Sequence, residues 1–355
     1  MRIGILSQKL ENNYGGILQN YALQQILIRL GHKPMTIDFR PGDSYIVYIV
    51  SVFKTIILNF LRGRKPHVEA YSIYKTNRSP LTTRFINEHI ITTHRIQYLH
   101  PLLPYYYRFK VVIVGSDQVW RADYNVLRNT FLAFVKGKII KLAYAASYGL
   151  SEWSIDPNQT KKCQKWIEDF RAISVRENSG VFLSKKYLNV NAIHVLDPTM
   201  LLEKKDYMQL CRSIPVRTSE YLFAYVLDIT EEKVKIIEEI ARTKGLAVKL
   251  LSAEKNISSS IEDWLSHFRD ASYIITDSFH GSVFSIIFRK PFNVLVNNSR
   301  GADRFMSLFS TFDLLDRIIN IENNPNMGNI DWTYISEKLD AQKQISLDFL
   351  KNNLK

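Results

Sequence analysis

The segment KVVIVGSD, residues 110–117, places four β-branched aliphatic residues in a row before a Gly-Ser-Asp exit. A strand without a polar face must be covered on both sides, which a parallel sheet flanked by helices provides. The covering helices are legible on either side. RIGILS reads as a strand, GILQNYALQQILIRLG as a helix ending at Gly31, and PMTIDF as the next strand, which together make a βαβ opening. IIKLAYAASY, the polar helix PNQTKKCQKWIEDF, the strand AISVRE, a helix from Asn178 and AIHVLDP complete one α/β unit. A second series follows near Pro198, with strands YLFAYVLD, LAVKLL, YIITDS and PFNVLV separated by helices EEKVKIIEEIARTKG, IEDWLSHFRD and HGSVFSIIFRK. Such alternation implies parallel sheets with right-handed crossovers. With 355 residues, the expectation is an α/β protein of two Rossmann-like domains facing a cleft. The first spans residues 1–195 with a basic apolar insertion at about 41–110, and the second residues 196–330. Residues 331–355 form a helical tail expected to cross back to the first domain.

Ligands of open α/β sheets bind beyond the carboxyl ends of the strands, so the strand exits are where chemistry is sought. After the first strand, Asn13, Gly15 and Gly16 precede a helix, where glycines permit close backbone approach and free N–H groups attract an anion. A flexible turn explains the same residues. After VVIVG come Ser116, Asp117 and Trp120, either a polar cleft floor or a helix cap. Arg176 and Glu177 end the strand AISV; the guanidinium suits an anionic ligand or an internal ion pair. The exit of YIIT carries Asp277, Ser278, Phe279, His280 and Gly281, so His280 opens an apolar helix with Asp277 nearby to adjust its basicity. Arg300 and Arg304 follow the strand PFNVLV, and one of them is expected to hold an anion. Walker A, HExxH and nucleophile-elbow spacings do not occur.

Charge and cysteine usage narrow the surroundings. Lys and Arg number 47 against 34 Asp and Glu, a formal +13. Residues 41–110 hold ten of the basic and three of the acidic residues, a net +7 in a fifth of the chain. There YIVYIVSVFKTIILNFL, residues 45–61, is too short and too interrupted for a membrane span but suits a helix in the interface with anionic lipid, as does YLHPLLPYYYRFK, residues 98–110. A buried helix is the alternative. No zinc-finger or RNP-like signature accompanies the charge, so nucleic acid is not an expected partner. Cys163 and Cys211 resemble neither a disulfide framework nor a metal clip, and no ligand spacing calls for a metal. The start MRIGILSQ lacks the apolar core of a secretory signal, so a cytoplasmic location is expected.

In this order and spacing, NYGGILQNYALQ, VGSDQVW, SVRENSG, LDPTMLL and TDSFHGSVFSIIFRKPF resemble the polysaccharide pyruvyl transferase family. The resemblance implies a two-domain fold similar to the GT-B glycosyltransferases. It also implies transfer of a pyruvyl group from phosphoenolpyruvate to two sugar hydroxyls, forming a ketal on a cell-surface glycan or a polyprenyl-diphosphate-linked precursor. His280 matches the family's proposed general acid, and Arg176 the arginine expected to hold the donor's anionic groups. The donor-binding set is then Asn13, Gly15, Gly16, Ser278, Gly281, Arg300 and Arg304, with Asp117, Trp120, Glu177 and Asp277 on the acceptor side or in the cleft. Ser278 stands where many members carry arginine, and Arg300 or Arg304 would substitute for it. No cofactor is implied beyond the donor substrate, and a lipid-linked acceptor would place the protein peripherally at the inner membrane face. The competing readings are a GT-B glycosyltransferase using a nucleotide sugar and a non-catalytic membrane-surface partner in glycan assembly.

Overall fold

The computed structural model describes residues 1–40, 78–252, 259–296, 301–319 and 325–355. The first sheet is built from β1 (Arg2–Leu6), α1 (Tyr14–Arg29), β2 (Lys33–Thr36), α2 (Pro80–His89), α3 (Leu103–Tyr106), β3 (Val111–Val114), α4 (Leu127–Thr130), β4 (Ile140–Ala146), α5 (Pro157–Ile167), β5 (Phe170–Val175), α6 (Asn178–Leu188) and β6 (Ile193–His194). Its order is β2-β1-β3-β4-β5-β6, all parallel. As its composition requires, every residue of β3 is buried.

A 3-10 helix, Pro198–Leu201, and α7 (Lys204–Leu210) lead to the second sheet. That sheet comes from β7 (Tyr221–Val226), α8 (Glu231–Lys244), β8 (Ala247–Ser252), α9 (Ile261–Asp270), β9 (Tyr273–Thr276), α10 (Phe279–Phe288), β10 (Phe292–Leu295), α11 (Asp303–Phe312) and β11 (Ile318–Ile319). Its order is β11-β10-β9-β7-β8, again parallel throughout. The protein is therefore two parallel sheets with interleaved helices, a two-domain Rossmann-like arrangement.

All ten residues of α10 are buried, because this helix packs on its own sheet and also meets the 3-10 helix that closes the first one. A helix apolar all round needs such two-sided cover. One apolar cluster runs through both domains, joining Ile3, Leu18 and Tyr14 of the first to Phe223, Trp264 and Phe284 of the second. Tyr14 meets Trp264 edge to face at 6.0 Å between centroids, and its hydroxyl donates to the Ser259 carbonyl. The last helix, α12 (Trp332–Asn353), lies back on the first sheet. Phe349 packs on Tyr144 of β4, the Ser346 hydroxyl accepts from Leu196 N at 2.9 Å, and Lys343 pairs with Glu203 at 2.7 Å.

Among the described residues, no helix is long and apolar enough to cross a membrane. The stretch 45–61 lies outside the described residues.

Candidate active site

The carboxyl ends of both sheets face one cleft of about 780 Å³. Its walls are the loop from Ser7 to Gly15 after β1, Asp117 and Gln118 after β3, Tyr225 and Leu227 at the end of β7, the exit of β9 from Asp277 to His280, and Arg304 at the start of α11. Chemistry sits where the doubly wound topology puts it.

His280 occupies the first turn of α10, where Ser278 caps the helix by accepting from Gly281 N at 3.3 Å. The imidazole is 7% exposed and lies against Gly15 so closely that a methyl group there would overlap Nδ1. Gly15 thus makes room for the catalytic candidate itself rather than for a ligand. The other ring nitrogen, Nε2, is buried without a hydrogen-bond partner and faces Asp197 Oδ2 at 3.9 Å. The imidazole pKa is lowered to about 4, chiefly by burial, with Arg176 and Arg304 acting in the same direction and Asp197 and Asp117 opposing them. The expected partner, Asp277, is not among these groups. Its carboxylate is turned into its own domain, where it accepts from Leu227 N at 2.6 Å and pairs with Lys233 at 2.6 Å.

Asp197 is the most heavily coordinated carboxylate of the site. Oδ1 accepts from Thr199 N at 3.0 Å and from the Thr199 hydroxyl at 2.6 Å. Oδ2 accepts from the Ser116 hydroxyl at 3.0 Å, Arg176 at 2.9 Å and the Gln19 amide. Burial alone would raise its pKa, but His280, Arg176 and the Thr199 hydroxyl hold it at about 2. Arg176 is almost wholly buried, reaches Asp117 at 3.5 Å as well, and lies over the Phe279 ring at 4.5 Å. It stands behind the cleft wall as the internal ion pair that was the alternative reading, with aspartates as its partners.

Arg304 is the guanidinium that lines the cleft. It is 7% exposed, sits 5.5 Å over Phe279, and has its pKa lowered to about 10 by burial and by Arg176, leaving it charged near neutrality. Asp117 completes the constellation with a positive φ of 80°, a conformation aspartate tolerates better than most residues. Burial would raise its carboxyl, but Arg176, His280 and Arg304 bring it below the usual range. It caps no helix.

The remaining expected residues serve the frame. Asn13 caps α1 by accepting from Gly16 N at 3.1 Å while lining the cleft, and Gly281 is packed on Thr276. Trp120 is not a cleft residue: it is buried in the first domain, stacked on Phe131 at 4.9 Å, with its indole donating to Thr130 O at 3.2 Å. Glu177 is buried too, accepting from Tyr148 N at 2.8 Å and Gly149 N at 3.3 Å, and burial raises its pKa. Arg300 lies outside the described residues. Asp197 and Gln19 were not among the expected functional residues, although Asp197 belongs to the LDP segment and stands at a strand exit like the others; Ser116, expected at the cleft floor, instead donates to Asp197. Away from the cleft, ligand atoms of Glu88, His89 and Glu262 lie within 4.8 Å of one another. Arg84 reaches Glu262 at 3.3 Å and Glu88 at 4.0 Å, so a guanidinium already supplies positive charge there.

Two parallel-sheet domains with an imidazole and a guanidinium on the wall of one cleft and buried aspartates beside them define a two-domain α/β protein with a charged site between its sheets. The chain belongs to the polysaccharide pyruvyl transferase family, whose model matches residues 13–299. Comparison with curated proteins gives no match. Among solved structures, UDP-GlcNAc 2-epimerase of Methanocaldococcus jannaschii is similar at 11% identity and a TM-score of 0.47, over 97% of this chain and 100% of that one. An alpha-glucosyltransferase in complex with UDP is similar at 8% identity and 0.42, over 99% and 94%. The E. coli ADP-heptose lps heptosyltransferase II follows at 10% and 0.36, over 97% and 99%.

Proposed function

We propose that the cleft transfers a pyruvyl group from phosphoenolpyruvate to two hydroxyls of a sugar, forming a ketal on a cell-surface glycan or its lipid-linked precursor. The observation that carries this reading is a buried imidazole sharing one cleft wall with a buried guanidinium, His280 beside Arg304. The donor's carboxylate and phosphate require cationic or N–H partners. Arg304 supplies one, and Lys9 and the α1 start lie on the opposite wall.

With its pKa lowered to about 4 by burial, His280 is neutral at neutral pH. A bound anion offsets the Arg304 and Arg176 charges, so the ring takes up a proton together with the donor. The imidazolium gives that proton to the donor's methylene carbon, making the adjacent carbon oxocarbenium-like. A sugar hydroxyl adds to that carbon and returns its proton to the ring. Phosphate leaves beside Arg304, the second hydroxyl closes the ketal, and its proton passes to the departing phosphate, so that the ring ends protonated as it began. One imidazole thus acts as acid and base in turn, and its removal costs roughly 100- to 10,000-fold in rate.

The test is a thermal-shift titration with phosphoenolpyruvate on wild type and Arg304→Ala. A ligand at 100 times its dissociation constant stabilises by about 2.7 kcal/mol. The reading requires that stabilisation in wild type and its loss in the variant. Stabilisation by nucleoside diphosphates and not by phosphoenolpyruvate would instead assign a nucleotide-sugar glycosyltransferase.

The lipid-linked acceptor draws support from the surface around α3. Leu102 and Tyr106 are 66% and 76% exposed, Tyr98 and Tyr105 about half, and Arg108, Lys110, Lys136 and Lys138 lie exposed in the same segments. Tyr105 ties the two segments together by donating to Lys136 O at 3.0 Å. Aromatic side chains among cations suit anionic headgroups. Flotation with phosphatidylglycerol vesicles should recover the protein at low salt, and a Leu102→Ser, Tyr106→Ser variant should stay behind. Equal recovery of both removes the docking surface.

A further inference from the structure

We infer that Asp197 is the positioning carboxylate of His280, holding the imidazole with its proton on Nε2 so that Nδ1, on the Gly15 side of the cleft, is the atom that carries the transferred proton. This rests on the reading of His280 as the proton donor; the geometry behind it is independent of the donor's identity.

Asp197 has little freedom of its own. Its two oxygens receive five donors, three from the first domain, α1 through Gln19, the β3 exit through Ser116 and the β5 exit through Arg176, and two from Thr199 beside it. A carboxylate held this way is a fixed reference point. The imidazole has the complementary deficiency, since Nε2 is buried without a hydrogen-bond partner and Asp197 Oδ2 faces it at 3.9 Å. That exceeds hydrogen-bond length, yet closing it takes a movement of only about 1 Å. Catalytic hydrogen bonds commonly tighten in this way when substrate binds.

The two partners belong to different domains. His280 rides on α10 of the second sheet, whereas Asp197 is fixed to the first. A shift of about 1 Å in α10, or a rotation of the ring about its own side-chain torsions, therefore suffices to bring Nε2 to hydrogen-bond length of Asp197. Around the ring stand Asp197, Asp117 and Arg176 from the first domain and Arg304 from the second. Asp117 is engaged with Arg176 and Gln118 N and Asp277 is turned away on Lys233, whereas Asp197 Oδ2, which already accepts from Ser116, Arg176 and Gln19, is the carboxylate oxygen that faces Nε2 at 3.9 Å. A hydrogen bond to one imidazole nitrogen selects the tautomer and leaves the other to react.

The test is nitrogen-15 NMR of the full-length chain with labelled histidine, His280 being assigned by the signal lost in His280→Gln. Wild type at neutral pH should show Nε2 protonated and Nδ1 free. The opposite tautomer overturns the proposal without any change at Asp197, which matters because Asp197→Asn leaves Arg176 with one carboxylate fewer. Where Asp197→Asn folds, its His280 should lose the Nε2–H preference and titrate at lower pH than wild type. Turnover should fall roughly 10- to 100-fold, while the phosphoenolpyruvate dissociation constant stays within about threefold of wild type. A folded variant with the wild-type tautomer and titration midpoint overturns the assignment. If phosphoenolpyruvate fails to bind wild type while the tautomer still depends on Asp197, the donor reading fails and the positioning role stands.

Discussion

Residue by residue, the site shows what a sequence can and cannot announce. His280 is legible because an apolar strand, a polar exit and an apolar helix enclose it, and that pattern alone puts it at a cleft. Gly15 is half legible: a glycine at a helix start suggests close approach, but the approaching group comes from residue 280 of the other domain. Asp197 escaped notice because β6 is only two residues long, so its exit does not stand out, and the donors that converge on it lie at positions 19, 116 and 176. The Gly15 packing predicts that Gly15→Ala displaces the imidazole. Turnover should fall by at least the factor of roughly 100 ascribed to a misplaced acid, far beyond the change in Tm, and steady-state kinetics beside a melting curve checks it. A larger loss of stability than of turnover would mean that the ring had moved without consequence. The depressed His280 pKa predicts proton uptake when phosphoenolpyruvate binds near pH 7. Calorimetry in buffers of different ionisation enthalpy should show it, and His280→Gln should abolish it.

At the scale of elements, the helices and strands follow from local pattern, with caps where capping chemistry places them: Asn13 before α1, Ser278 before α10, Asp331 before α12. The return of α12 is different. A helical period is visible in its sequence, but its docking place is decided by Tyr144 and Leu196, far away in the chain. Ser346 from this helix accepts from the N–H of Leu196, the residue before Asp197, so a distant helix supports the backbone that carries the hub carboxylate. Ser346→Ala leaves a buried N–H without a partner and should cost about 1–3 kcal/mol. Denaturant titration measures that loss. Activity should fall as well if the Leu196 segment shifts, whereas full turnover in a destabilised variant would show that Asp197 keeps its place through its own five donors.

For the molecule as a whole, the two sheets are locked by one apolar cluster and by a cleft in which opposite charges are buried together, which ties stability to pH in a defined direction. His280 and His267 are both held to about 4 by burial, against an ordinary value of 6.5. The unfolded chain thus binds more protons than the folded one between roughly pH 6.5 and 4, and stability must fall as the pH drops through that window. Above about 6.5 both rings are neutral in either state and contribute no slope. Asp197 extends the fall at lower pH: its folded value of about 2 lies below the ordinary 3.8, so its stabilisation, complete above 3.8, is lost as the pH falls towards 2. Each depressed histidine adds a slope of up to about 1.4 kcal/mol per pH unit inside its window. His280→Gln removes one of these terms without removing the ring's volume entirely, so its unfolding free energy should fall less steeply than that of wild type between pH 6.5 and 4. His267→Gln should do the same from within the second domain, where the ring stacks on Phe223 at 4.5 Å. Phosphoenolpyruvate separates the two: by stabilising the charged form of His280 alone, it should flatten the acid slope of wild type and of His267→Gln but leave His280→Gln unchanged. Equal flattening in all three would place the bound anion away from His280 and detach the donor site from the imidazole.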